Sequence, residues 1–331
     1  MYSEVILNCS YIVIVHVICL SFLFTATHAT AVPGKTVPAK AAVVMDSFGT
    51  VLYAKYPKAR LAPASTVKLV TAMVAIDLLK VDDIVRISGN AGKVRTIPPR
   101  LQPDEEFAVI DLLNLALMKS INQAAVALAE AAAGSEDDFV VLMNQKAQEI
   151  GARDTLFANA SGLPTRGKQY STVSDLALIM KAALSYPLIR DILAKKMCIV
   201  RTTGGREIFL ENSNHLLWED QTMIIGKTGY TGNARHCFVG AMDTDNGTVI
   251  TAVLGARSRR SLWKATEMLA EIGIHPELAL LLEAPRTNRG GGKANVKKSK
   301  TVAAGVGKDL VMPDFQKSWV LRGFPQQLNN N

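Results

Sequence analysis

The sequence predicts an α/β protein of the α+β type, in which both ends of the body contribute strands to one sheet around a helical insertion. Three observations carry this expectation. Strand-like runs rich in small and β-branched residues begin at Ala41, similar runs return after Cys198, and the stretch between them has helical character. The 331 residues, 49% of them hydrophobic, suffice for one large domain or two small ones.

Residues 1–31 read as an export signal: Tyr11 to Phe24 is apolar, and Ala29-Thr30-Ala31 offers a small-x-small cleavage site. Glu4, with no Lys or Arg in the first ten residues, departs from the usual basic start, and an uncleaved membrane anchor is the alternative. Cys19 follows Val17-Ile18 and lacks the small residue expected before a lipidated cysteine, so no lipoprotein is expected. A short linker, residues 32–40, precedes AAVVMDSFGTVLYAKY, which predicts two strands joined by a turn at Asp46 to Gly49. A long helix is expected from about Ala64. Further helices are expected over Ala108 to Lys119, Ala124 to Ala133, Glu136 to Ile150 and Ser174 to Leu184, with Ser135 and Ser174 as polar starts.

From Cys198 the pattern turns to strands. CIVRTTGGREIFL carries a Gly-Gly turn, and CFVGAMDTDNGTVITAVLGA predicts a hairpin around Asp245-Asn246-Gly247. A helix from about Arg260 to Ile272 closes a body of residues 41–283. Residues 284–331 are basic and Gly-rich, the composition of a disordered tail. Within it, Phe315 and Trp319 at i, i+4 among basic residues could make a weak contact with a membrane surface or an anionic polymer.

The formal net charge is +8, but from Arg286 onward nine Lys/Arg stand against two Asp. The body is therefore near neutral, which argues against a nucleic-acid partner. Removal of the signal would leave Cys198 and Cys237. They can pair in an oxidising envelope, but two isolated cysteines in strand-like sequence read first as small buried apolar groups. The five His are scattered and no Cys/His cluster has metal-ligand spacing, so neither metal nor cofactor is expected.

Candidate chemistry begins in PASTVKLVTAMVAID, where Lys68 sits in an otherwise apolar helix three residues after Ser65. Residues i and i+3 share a helix face, and a serine at a helix start keeps its backbone N–H free. Ser65 can then be a nucleophile, a neutral Lys68 its base and the N–H half of an oxyanion hole. Burial and a nearby cation would lower the lysine's pKa as a base at neutral pH requires. The spacing alone is common, and Ser261 and Lys264 repeat it on a surface helix. The company is more specific. Ser120 and Asn122 lie between two apolar helical runs, whereas the similar Ser88-Gly89-Asn90 lies in turn-like sequence. Lys227-Thr228-Gly229 occurs once, leading into the strand region, where a strand glycine permits close approach of a ligand.

These three motifs in this order are shared by penicillin-binding proteins and class A β-lactamases. From roughly Ala41 to Gly273 the chain resembles the low-molecular-mass penicillin-binding proteins that act as D-alanyl-D-alanine carboxypeptidases, peptidase family S11. The likeness runs through APASTVKLVTAMVAID, KSINQAAVALAEAAAGS, FANASGL, NSNHLLW and GKTGYTGNARHCFVGA. It implies an antiparallel sheet flanked by helices, with a helical subdomain and a cleft between them. It implies an exported enzyme of the bacterial periplasm or envelope that acts on peptidoglycan stem peptides and is acylated by β-lactams. Ser65 would be the acylated nucleophile, Lys68 the base and Ser120 a proton relay. Asn122 would hold the substrate amide, Lys227, Thr228 and Gly229 would bind the substrate's carboxylate end, and the N–H groups of Ser65 and Tyr230 would form the oxyanion hole. Gln123 stands where the family often has Asp, Ile224-Ile225 where it often has Asp-Gly, and Arg235 where it usually has Gly. With Ser213 between the two Asn of NSN, recognition of the carboxylate could also draw on Arg235 or Arg257. A serine β-lactamase and a non-catalytic peptidoglycan- or β-lactam-binding homologue are the alternatives.

Overall fold

The computed structural model describes residues 36–218 and 224–282. The expected export signal, the first part of the linker and the basic tail with Phe315 and Trp319 lie outside the described residues.

Strands β1 (Ala41–Met45) and β2 (Val51–Lys55) form the expected first hairpin. A 3-10 turn, Ala64–Val67, leads into α1 (Lys68–Leu78), so the long helix begins later than its apolar pattern suggests. Next come β3 (Ile84–Arg86), the short α2 (Gly89–Lys93) and β4 (Glu106–Ala108), none of them expected, since three- to five-residue elements carry too little periodicity to read. The helical insertion continues with α3 (Val109–Leu117), α4 (Asn122–Ala133), α5 (Glu136–Ile150), α6 (Val173–Ala183) and α7 (Pro187–Ala194). Ser135 caps α5 by accepting the Asp138 N–H, with Glu136, Asp137 and Asp138 complementing the dipole of its first turn. At α6 the cap is Thr172, not Ser174, because Thr172 has the extended backbone that lets its hydroxyl reach the Asp175 N–H. The chain ends in β5 (Met197–Arg201), β6 (Glu207–Glu211), β7 (Ile225–Thr231), β8 (Arg235–Thr244), β9 (Gly247–Ala256) and α8 (Arg259–Ile274).

Both ends do build one antiparallel five-stranded sheet, in the order β2-β1-β9-β8-β7, while β3–β4 and β5–β6 form separate two-stranded ribbons. Strand β1 is buried at every position because both faces of the sheet are covered. Ala41, Val43 and Met45 join the core shared with the helical insertion, whereas Ala42 and Val44 join the core with Leu262, Ala265 and Leu269 of α8. Strand β7 is left as an edge, and the turn at Ala64–Val67 lies against it. Cys198 on β5 and Cys237 on β8 are both free thiols, half-buried and buried respectively.

Gly226 and Gly240 face each other across β7 and β8, and the Phe238 ring lies over both. A methyl on Gly240 would stand 2.5 Å from Phe238 Cε1 and 2.6 Å from Ile225 O. Gly240→Ala is therefore expected to destabilise the fold by about 1–3 kcal/mol through overpacking, read as a lower urea midpoint at unchanged slope.

Candidate active site

Ser65 and Lys68 meet because the turn between them is 3-10, a geometry in which residues i and i+3 eclipse. The turn is locked from below by Thr66, whose Oγ1 donates to Pro63 O at 2.8 Å. Ala64, just before Ser65, adopts φ +50, a left-handed conformation that non-glycine residues rarely take. Lys68 is 0% exposed, and its Nζ has three oxygen neighbours: Ser65 Oγ at 3.0 Å, Asn122 Oδ1 at 2.7 Å and Ser161 O at 2.5 Å. Asn122 is oriented by its own amide N–H, which donates to Arg95 O at 2.7 Å and so turns Oδ1 towards the lysine.

Lys227 of β7 is also fully buried. Burial lowers its ammonium to about 7, and its Nζ donates to Thr228 O at 3.0 Å. For Lys68, burial comes first and the charge of Lys227 second, and together they hold its pKa well below the usual lysine range. Among the described residues no carboxylate bonds to either lysine. A neutral Lys68 has two N–H groups and one lone pair. Ser161 O and Asn122 Oδ1 can only accept, so they take the two N–H groups and leave the lone pair to accept the Ser65 proton.

Ser120 lies in the connector between α3 and α4 at φ +65, again left-handed. The next residue but one, Asn122, opens α4, which brings its amide to Lys68. Gln123, where Asp was the familiar residue, holds the loop before β4: its Oε1 accepts the Leu101 N–H at 2.8 Å, and its Nε2 donates to Gly92 O and Leu101 O. An aspartate could not make the donating half of this clamp.

On β7, a methyl on Gly229 would lie 3.0 Å from Ser65 N and 3.2 Å from Pro63 O, so any side chain there would press the turn outward by a few tenths of an ångström, and glycine lets the strand edge pass this close. Thr228 Oγ1 is 2.7 Å from Ser213 Oγ, while Asn212 and Asn214 on either side bond to backbone carbonyls of Lys195 and Ile224. Tyr230 is exposed, with its ring centroid 4.6 Å from that of His236. Arg235 sits at φ +62, the conformation a glycine would take without strain, and Arg257 is exposed beyond β9. The two look-alike motifs have structural explanations. Ser88 caps α2 and donates to Glu130, and Ser261 lies beside the α8 cap Ser258.

The sequence reading missed the loop that completes the site. Ser161 contributes a carbonyl rather than a side chain, and no residue-type signal marks a carbonyl. Gly162 was legible in principle as a turn glycine after Asn159. It adopts φ +81, and a methyl there would overlap Ala64 O and stand 2.9 Å from Ser65 N. Gly162→Ala is expected to push the Ser65 turn away from Lys68 and lower acylation by a penicillin about a hundredfold, a ~1 Å misplacement being worth that much. An acylation rate within threefold of wild type would show that the turn does not depend on this contact.

A two-sided antiparallel sheet with Lys-Thr-Gly on its edge strand, set against a Ser-x-x-Lys turn and a Ser-x-Asn connector, defines the fold class shared by D,D-peptidases and serine β-lactamases. Within that class the chain belongs to the D-alanyl-D-alanine carboxypeptidase family, peptidase family S11, whose profile matches residues 26–258. It is 36% identical over 224 residues to the D-alanyl-D-alanine carboxypeptidase DacF of Bacillus subtilis, covering 66% of this chain and 57% of that protein's length. It is 30% identical over 236 residues to a D-alanyl-D-alanine endopeptidase of Escherichia coli, covering 70% of this chain and 76% of the relative. Among solved structures, an evolved putative penicillin-binding protein homolog from Mycobacterium tuberculosis superposes with a TM-score of 0.68 at 30% identity, over 74% of this chain and 94% of that one. Penicillin-binding protein D2 of Listeria monocytogenes in its ampicillin-bound form superposes with a TM-score of 0.64 at 30% identity, over 73% and 99%.

Proposed function

We propose that the chain is a serine-type D-alanyl-D-alanine carboxypeptidase that removes the terminal D-alanine of peptidoglycan stem peptides through an acyl-enzyme. The observation that carries this reading is the contact set of Lys68: a buried amine with two fixed acceptors and its third position on Ser65 Oγ.

Lys68 takes the Ser65 proton as Oγ attacks the penultimate D-alanyl carbonyl. The Ser65 and Tyr230 N–H groups meet the oxyanion, and Ser120 relays a proton to the leaving amine. Free D-alanine departs and leaves an ester on Ser65. Water then attacks the ester, Lys68 accepting its proton, and Ser65 is restored. Asn122 holds the substrate amide, Lys227 and Thr228 bind the terminal carboxylate, and Gly229 lets the peptide lie along the open edge of β7. β-Lactams acylate the same hydroxyl and leave slowly.

A β-lactamase would need a group to speed deacylation. Between Gly151 and Gly167 the one acidic residue is Asp154, and it is taken by Arg60 at 2.6 Å on the surface. In this reading residues 41–283 are the catalytic domain, residues 1–31 direct export to the bacterial envelope, and the tail from 284 touches a membrane or anionic polymer weakly. The test is D-alanine release from a stem pentapeptide together with the lifetime of the penicillin adduct. The reading expects peptide turnover and a long-lived adduct. Rapid β-lactam hydrolysis without peptide turnover would make the chain a β-lactamase, and labelling without any turnover would make it a binder.

A further inference from the structure

The Ser161 carbonyl can steer Lys68 only if it is fixed to within about 0.5 Å. Yet it belongs to an irregular loop, residues 157–163. Side chains from two helices hold that loop. Asn144 of α5 takes the Phe157 N–H at 2.8 Å and donates to its carbonyl at 3.0 Å. Asn159 Oδ1 accepts the Gly162 N–H at 2.7 Å. Closest to the chemistry is Ala160, immediately before Ser161, and both of its backbone polar groups go to side chains. Its N–H donates to Glu136 Oε1 at 2.9 Å, and its carbonyl accepts from Thr71 Oγ1 at 2.7 Å. Thr71 lies one turn beyond Lys68 on α1 and is completely buried. That helix therefore grips two successive carbonyls, Ala160 through Thr71 and Ser161 through Lys68.

Resting on the carboxypeptidase reading, we propose that Glu136 and Thr71 are positioning residues, which clamp Ala160 from two helices and so hold the Ser161 carbonyl that turns the Lys68 lone pair towards Ser65. Glu136 is only part-exposed and stands near Glu130 of α4 and Asp137 beside it. Burial raises its carboxyl pKa most and the two acids add to this, while the Ala160 N–H opposes them. An acid in such surroundings is unfavourable unless its acceptor is needed there. Lys68 itself faces one charge, Lys227 of β7, and otherwise the neutral Ser65, Asn122 and Ser161.

The test is the pH profile of D-alanine release by wild type, Glu136→Ala, Glu136→Gln and Thr71→Val, with penicillin acylation of wild type alongside. Releasing the clamp removes an acceptor that favours protonated Lys68. Glu136→Ala and Thr71→Val should therefore move the acid limb to lower pH and cut the plateau kcat about tenfold or more, with KM nearly unchanged. Glu136→Gln keeps an acceptor oxygen and should restore both limb and plateau. An acid limb that stays in place in Glu136→Ala, even with a lower melting temperature, would reduce Glu136 to a structural staple and overturn the proposal. So would a Glu136→Gln protein no better than Glu136→Ala. A wild type that is neither acylated nor turns over peptide would instead defeat the carboxypeptidase reading itself.

Discussion

Ser65→Ala is expected to lower D-alanine release by a factor on the order of a thousand or more and to abolish the covalent penicillin adduct. In the proposed mechanism the substitution removes the atom that forms the ester, so any remaining turnover would have to come from water attacking directly, helped only by binding and the proposed oxyanion donors. Its effect should be confined to chemistry. Apart from its 3.0 Å contact with Lys68 Nζ, Ser65 Oγ has only a long approach to Ser161 O, at 3.4 Å, and Lys68 keeps both of its acceptors, Asn122 Oδ1 and Ser161 O, when the hydroxyl goes. The melting temperature should move little, and KM for the pentapeptide should stay within a few-fold. Stopped assays for released D-alanine and a denaturing gel with a fluorescent penicillin measure the two losses. An adduct that persists in Ser65→Ala would place the nucleophile elsewhere, and Ser120 would be the next hydroxyl to test.

Much of this arrangement is legible in the sequence because the site uses side chains at helical and strand spacings. Lys68 stands out as a charge in an apolar helix, and Lys227-Thr228-Gly229 as polar residues entering a strand. The sheet is legible too, since its strands from the two ends have hairpin turns at Asp46–Gly49 and Asp245–Gly247. What escapes is carried by backbone. The left-handed conformations of Ala64 and Ser120 leave no mark in residue type, because both residues ordinarily avoid them. The Ser161 carbonyl reaches Lys68 across 93 residues of separation. Only tertiary structure can bring that loop home. Helix α7 was missed for a different reason: its eight residues, starting at Pro187, follow α6 with so short a break that the pattern of one runs into the other.

Lys68→Met should lower the acylation rate by a factor of about a thousand and remove its pH dependence, while leaving the Ser65 hydroxyl in place to form a slow adduct. Methionine keeps the length and the apolar contacts of the lysine stem, so what is lost is the amine. In wild type the acylation rate should climb with pH as Lys68 gives up its proton, and this acid limb lies well below the ordinary lysine value of 10.5 because burial and Lys227 disfavour the cation. The neighbouring charge gives an independent check on the assignment. Lys227→Met removes the second of those two causes, so the limb should move to higher pH even as carboxylate binding weakens and KM rises. Folding stability should respond with the sign set by linkage. A lysine whose folded pKa is depressed binds fewer protons folded than unfolded, so wild-type stability rises with pH between the folded value, about 7 for Lys227, and 10.5. Below that window the penalty of burying the amine is complete, and above 10.5 it is gone. Each lysine-to-methionine change should flatten its share of that rise, seen in urea midpoints taken from pH 7 upward. If Lys68→Met instead keeps more than a tenth of the wild-type acylation rate and its acid limb, the base is not Lys68, and Lys227 becomes the group that takes the Ser65 proton.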